Sequence, residues 1–136
     1  MEELKINNTI TSRFSGATWF NLITQKSTTV IGVGGIGSYV AFLLSRLNVN
    51  CIDMFDGDKV EEVNLAGQLF SITDIGRYKV ESVKNLINNH SNYFKINSFK
   101  QFFDYHNRCQ NITFCGLDNM EARKTAFTSW LKETNG

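Results

Sequence analysis

The sequence predicts a doubly wound α/β fold, and three observations carry that prediction. Short apolar, β-branched runs alternate with stretches of helical spacing, which points to a mostly parallel sheet flanked by helices. Right-handed crossovers between successive strands give the strand order 3-2-1-4. The polar clusters GVGGIGS, DGDKVEEVN and LDN each follow a strand. In open sheets of this kind the ligand sits at those carboxyl ends.

Taken in order, Ala17, Phe20, Leu22 and Ile23 lie near helical spacing and predict an opening helix over 16–24. Residues 28–33 form a first strand. Val40, Leu43, Leu44 and Leu47 make one stripe of a helix over 37–47, and NCIDMF (50–55) forms a second strand ending at Asp56. A loop with one irregular turn covers 57–72. Thr73 or Asp74 then caps a helix reaching about Asn89, with Val80, Val83, Leu86 and Ile87 on its buried side. Residues 93–99 give a third strand and 111–116 a fourth, before a closing helix over 119–132.

Length and composition narrow the function classes. The 136 residues fit one nucleotide-binding domain, 42% hydrophobic and 20% charged. Fourteen basic against thirteen acidic side chains leave no overall field to draw nucleic acid or a membrane surface. MEELKINN has no apolar signal segment, and the run from Val30 to Leu44 is short and broken by four glycines. Cys51, Cys109 and Cys115 form no C-x-x-C pair, as expected of a reduced, cytoplasmic protein without structural zinc. Cys115, at a strand end, is expected to be a small buried hydrophobe.

Gly32, Gly34 and Gly37, with Gly35 added, give G-x-G-x-x-G spacing between a strand and a helix. Glycines at such a turn admit close approach of phosphate oxygens, and the free N–H groups of the helix start favour their charge. Asp56 lies 24 positions after Gly32, near the distance expected for an acid that accepts ribose hydroxyls. These features suit an NAD(P)- or FAD-dependent oxidoreductase and an ATP-binding protein equally. Bland roles stay open for the rest: Lys79 as a solvated helix lysine beside Arg77 and Lys84, Asp118 as a helix cap, and Asp58 and Asn64 as loop formers. His90 and His106 lack partners at ligand spacing.

Beyond Asp56, the segments DGDKVEEVNLAGQLF, DIGRYKVES and GLDN, following the glycine turn, resemble the adenylating domain of the ThiF/MoeB/ubiquitin-activating-enzyme superfamily. The resemblance covers nearly the whole chain. It implies a Rossmann-like domain that uses ATP and Mg²⁺ to adenylate the C-terminal carboxylate of a ubiquitin-like or sulfur-carrier protein. By the same resemblance Gly32, Gly34, Gly35, Gly37, Asp56, Asp58, Asn64, Gln68 and Lys79 bind the nucleotide. Lys79 and Asp118 act in catalysis, and Asp118 holds Mg²⁺. A homodimer is also implied, with the segment near Arg13 crossing into the neighbour's site.

The sequence departs from that pattern at two arginines. Gly16 stands where the opening R-[YF]-x-R-Q-like segment has its second arginine, and NLAGQ puts Gly67 in place of the arginine of N-L-x-R-Q. Glycine cannot supply a guanidinium fork. Arg13, Arg77 and Arg123 are the candidates to replace it. The sequence also stops after the fourth strand and its helix, as expected of the N-terminal part of a longer protein or of a minimal relative. Two other readings therefore stand beside adenylation: a non-catalytic interaction module and an oxidoreductase.

Overall fold

The computed structural model describes residues 11–135. Four strands, β1 (Ser27–Ile31), β2 (Cys51–Phe55), β3 (Ile96–Phe99) and β4 (Ile112–Cys115), form one sheet in the order β3-β2-β1-β4. Every pairing is parallel: Ile31 lies beside Phe55 and Cys115, and Phe55 beside Phe99. The helices are α1 (Thr18–Thr24), α2 (Gly37–Arg46), α3 (Lys79–Ser91) and α4 (Met120–Asn135), with short 3₁₀ turns at Ser12–Phe14, Glu62–Ala66 and Ile72–Asp74. The predicted doubly wound order is the observed one. No helix among the described residues is long and apolar enough to cross a membrane.

β1 is buried from Thr28 to Ile31 because it sits between β2 and β4, so these residues form a continuous β-branched run rather than an alternating one. Val30, Ile52 and Met54 from the sheet join Ala41 and Leu44 of α2 and Val80, Val83 and Ile87 of α3 in the main core. Each Val, Leu, Ile or Met side chain among them contributes about 1.5–3 kcal/mol when fully buried. At the outer edge Phe55 stacks on Phe99 at 4.4 Å and meets Phe103 edge-on at 5.0 Å. Part of the aromatic run after β3 therefore covers the sheet, while Phe102 and Tyr105 are exposed.

Several boundaries differ from expectation, each for a physical reason. Ser71 and Asp74 form a capping box, but it closes only a 3₁₀ turn. Gly76 then adopts φ +86, and Tyr78 bridges back to Lys59 as in a short antiparallel pair, so α3 starts at Lys79. α3 ends at Ser91, closed by the left-handed Asn92. Tyr93 then points inward, its hydroxyl donating to the Val49 carbonyl at 2.8 Å, and β3 begins only at Ile96. β1 ends at Ile31, two residues early, because Gly32 takes φ +83. On α2 the buried face is Gly37, Ser38, Ala41, Leu44 and Ser45, whereas Leu43 is exposed. The small residues let this helix lie close to the sheet, and the predicted stripe is rotated toward the helix's flank. Leu22 of α1 is likewise exposed, and Phe20 carries its burial. Cys115 is exposed at the end of β4 rather than buried.

Candidate functional site

The carboxyl ends of β1, β2 and β4 converge on a cleft of about 320 Å³. Its lining includes Gly32, Gly34, Gly35, Asp56, Asp58, Gln68, Lys79 and Asp118, which are eight of the ten residues singled out from the sequence. The other two serve beneath or beside it. Gly37 is buried under the turn, and a Cβ there would lie 1.7 Å from the Gly32 carbonyl oxygen. Asn64 shapes the 3₁₀ turn that carries Gln68: its Oδ1 accepts the Glu61 N–H at 2.8 Å, and its carbonyl accepts the Gln68 N–H at 3.0 Å.

The glycine turn is built as an open cradle. Gly32 takes a left-handed φ that a side chain would resist, and a Cβ on it would meet Leu117 at 2.8 Å. Val33 then turns its N–H onto Asp56 Oδ2 at 2.8 Å. No acceptor among the described residues takes the N–H groups of Gly34, Gly35 or Ile36. These are the donors a helix N-terminus leaves unsatisfied, and they lie where α2 begins.

Ser38 is a residue that the sequence reading did not single out. It is fully buried; its hydroxyl donates to the Gly34 carbonyl and accepts the Leu69 N–H at 3.2 Å. It thus ties the 62–70 turn to the glycine loop and sets Gln68 against Gly34. Gln68 Oε1 is buried without a hydrogen-bond partner. Buried polar atoms are nearly always paired, so an orphan acceptor at the cleft suits a ligand's donor. Its place directly after the last glycine of the motif was the available signal for Ser38.

The acids divide their work. Asp56 is buried and accepts two backbone N–H groups, from Val33 and from Asp58, each at 2.8 Å. A carboxylate offers about four acceptor sites, so both oxygens keep one for a hydroxyl. Asp118 stands exposed on the lip after β4, and its carboxylate makes no hydrogen bond or ion pair among the described residues. The cap of α4 is Asn119 instead, whose Oδ1 accepts from Glu121 and Ala122 at 2.9 and 3.2 Å.

Lys79 is buried, not a solvated helix lysine. Its N–H donates to the Asp58 carbonyl at 3.0 Å, and its Nζ sits 4.0 Å from Asp58 Oδ2. The loop after β2 pairs with the stretch before α3, through Val60 N–H to the Arg77 carbonyl and Gly76 N–H to the Val60 carbonyl. That pairing carries Lys79 into the cleft.

Of the three candidate replacement arginines, Arg123 lines the cleft and Arg77 does not. Arg123 Nε donates to the Leu117 carbonyl at 2.5 Å, which anchors the guanidinium at the same lip as Asp118. Gly67 has open space around it, with nothing within 4 Å of a Cβ, and Gly16 is equally open. No group of three or more His, Cys, Asp or Glu side chains forms a metal cage among the described residues. A cation held by one carboxylate together with ligand phosphates, the usual manner of Mg²⁺, fits this lip.

The chain is 33% identical over 122 residues to Ubiquitin-like modifier-activating enzyme 5 of Culex quinquefasciatus, across 76% of this chain and 30% of that protein. A shorter match, 43% identical over 61 residues, is to Adenylyltransferase and sulfurtransferase MOCS3 of Oryza sativa subsp. japonica, across 44% of this chain and 14% of that protein. The chain spans about 30% of the length of the first of these relatives. The E. coli tRNA N6-threonylcarbamoyladenosine dehydratase, TcdA, superposes with a TM-score of 0.82 at 19% identity, covering 96% of this chain and 57% of TcdA. E. coli MccB, in its structure with ATP, superposes with a TM-score of 0.73 at 21% identity, covering 85% of this chain and 36% of MccB. Both structures share the fold. Residues 7–128 match the ThiF family, from ahead of the first described turn well into α4. With its parallel β3-β2-β1-β4 sheet and its glycine turn at the sheet's carboxyl edge, the chain belongs to the ThiF family.

Proposed function

We propose that this chain is the nucleotide-binding domain of an adenylyltransferase, taking ATP with Mg²⁺ and activating the C-terminal carboxylate of a ubiquitin-like or sulfur-carrier protein. The observation that carries the reading is the juxtaposition, in one cleft, of a donor-lined glycine cradle with Asp56, Lys79 and Asp118. The names of the relatives supply the substrate class, since they describe a ubiquitin-like modifier-activating enzyme and an adenylyltransferase. TcdA has been solved with ATP and with AMP, which supports the choice of nucleotide.

The division of labour follows from charge. The free acceptor sites of Asp56 take ribose hydroxyls, and Gln68 Oε1 takes a further donor from the nucleoside. The N–H groups of Gly34, Gly35 and Ile36 face phosphate oxygens. In the reaction a carboxylate oxygen bonds to the α-phosphorus of ATP while the bond to the pyrophosphate oxygen breaks. Negative charge accumulates on the departing pyrophosphate. Lys79 and Arg123 are the cations at the cleft that oppose it, so the protein's contribution is positioning and fixed charge. Asp118 would hold Mg²⁺, which supplies further charge neutralisation at the phosphates. Arg123 takes over part of the work that the missing arginines at 16 and 67 would otherwise do. A nicotinamide enzyme has no need of Lys79 and Asp118 around the phosphates. A second copy of the chain, bringing its Arg13 segment to this cleft, remains part of the proposal.

ATP–pyrophosphate exchange with a carrier-protein tail tests the reading. Lys79→Ala and Asp118→Ala should each lower exchange by on the order of 100-fold, the loss typical of removing one group that meets developing charge. Metal-dependent ATP binding without exchange toward any carrier would favour the non-catalytic module. NADH binding without ATP binding would sink both.

A further inference from the structure

On the face of α3 turned from the nucleotide cleft, a second cavity of about 420 Å³ is lined by Arg77, Glu81, Lys84, Asn85 and Ser98. Its one acid is already engaged: Glu81 Oε1 lies 2.6 Å from Lys100 Nζ. Arg77 and Lys84, by contrast, have no anionic partner among the described residues. The side chains of Asn85 and Ser98 likewise spend no donor on the protein. The cavity therefore presents a guanidinium fork, an ammonium, an amide and a hydroxyl around one space, with its only carboxylate neutralised. Positive charge is concentrated here although the chain as a whole is close to neutral.

We propose that this cavity binds a phosphoryl group, separately from the nucleotide cleft. A planar fork with a nearby ammonium suits a tetrahedral dianion better than an apolar ligand, and charge-assisted bonds to phosphate oxygens are the strong ones. The volume lies within the range of small-ligand sites and the lining is polar, which excludes a greasy occupant. The same phosphoryl chemistry comes from two sources, a small free phosphate or a phosphorylated side chain of a partner protein. The site shares α3 with Lys79, so an occupant rests on the helix whose first residue enters the cleft. The proposal stands whether or not the chain adenylates a carboxylate.

The test is titration of the ¹⁵N-labelled chain with inorganic phosphate, without nucleotide, followed by amide shifts. Saturable shifts at Lys84, Asn85 and Ser98 are expected, weakened at least tenfold in the Arg77→Gln/Lys84→Gln variant. Arg77 is exposed and Lys84 half-buried, and the variant's own spectrum reports whether it is folded. Shifts confined to Gly34–Ile36, shifts that never saturate, or binding unchanged in the variant would each overturn the proposal. A phosphoserine peptide that binds at least tenfold tighter than inorganic phosphate assigns the group to a modified partner. Equal binding assigns it to a free phosphate, and both results uphold the site.

Discussion

Three residues decide how far the cleft supports chemistry. Lys79 is held by burial and by its backbone bond to Asp58, so its charge is kept beside the glycine turn rather than in solvent. Arg123 projects from α4, bonded to the Leu117 carbonyl and, at 3.8 Å, to the Met120 sulfur, and stays exposed. Arg123→Ala should therefore weaken pyrophosphate exchange more than it changes stability, as a melting curve beside the exchange assay would show. Gly67 is the complementary case. It has ordinary backbone angles (φ −122, ψ −3) and open space beyond its Cα, so Gly67→Arg is sterically free. The variant should melt within about 0.5 kcal/mol of the parent, as surface changes do. If the guanidinium reaches the phosphates, Mg²⁺-dependent ATP binding should tighten about tenfold or more, given roughly 1.5–3 kcal/mol for a hydrogen bond to a charged group. A melting curve measures the first effect and calorimetric titration the second.

Two local devices hold the elements around the cleft. The start of α2 packs onto the end of β1 so closely that Gly37 admits no side chain. Gly37→Ala should cost at least the 1–3 kcal/mol of an overpacked core, read as a lower urea midpoint at an unchanged slope. The start of α4 depends on Asn119, and Asn119→Ala should cost about 1 kcal/mol through the lost cap. Because the cap lies beside Asp118, the same variant should also loosen the lip. Exchange would then fall with Asp118 still present, whereas Asp118→Ala should leave the melting temperature nearly unchanged. Most of the elements were legible from their spacing. The start of α3 was not, because the capping box at Ser71–Asp74 is a genuine helix signal spent on a 3₁₀ turn. What stops that turn is a left-handed Gly76 and a bridge to Lys59, a contact made across the fold.

For the molecule as a whole, the core depends on one polar group. Tyr93 lies between α3 and β3 with its hydroxyl on the Val49 carbonyl, and burial pushes its phenol well above the usual tyrosine range. The folded protein thus keeps a proton that the unfolded chain releases above about pH 10, so stability falls as pH rises past that point. The slope should approach 1.4 kcal/mol per pH unit from this one group. Urea unfolding between pH 9 and 11 should show that slope reduced in Tyr93→Phe, with the thiol of Cys51, also raised by burial, contributing to what remains.

The sequence by itself determined the alternation of strands and helices, the strand order, the glycine turn and the acid after β2. These follow from periodicity, handedness and φ preferences, which act between near neighbours. Eight of the ten residues it singled out line the cleft, because a parallel sheet delivers every strand's end to one edge. Only the tertiary structure decided that Lys79 is buried, that Asn119 rather than Asp118 caps α4, that Arg123 rather than Arg77 reaches the cleft, and that Ser38 ties Gln68 to Gly34. Each of those depends on where a long side chain or a loop meets an element distant in sequence, and spacing along the chain carries no information about that meeting.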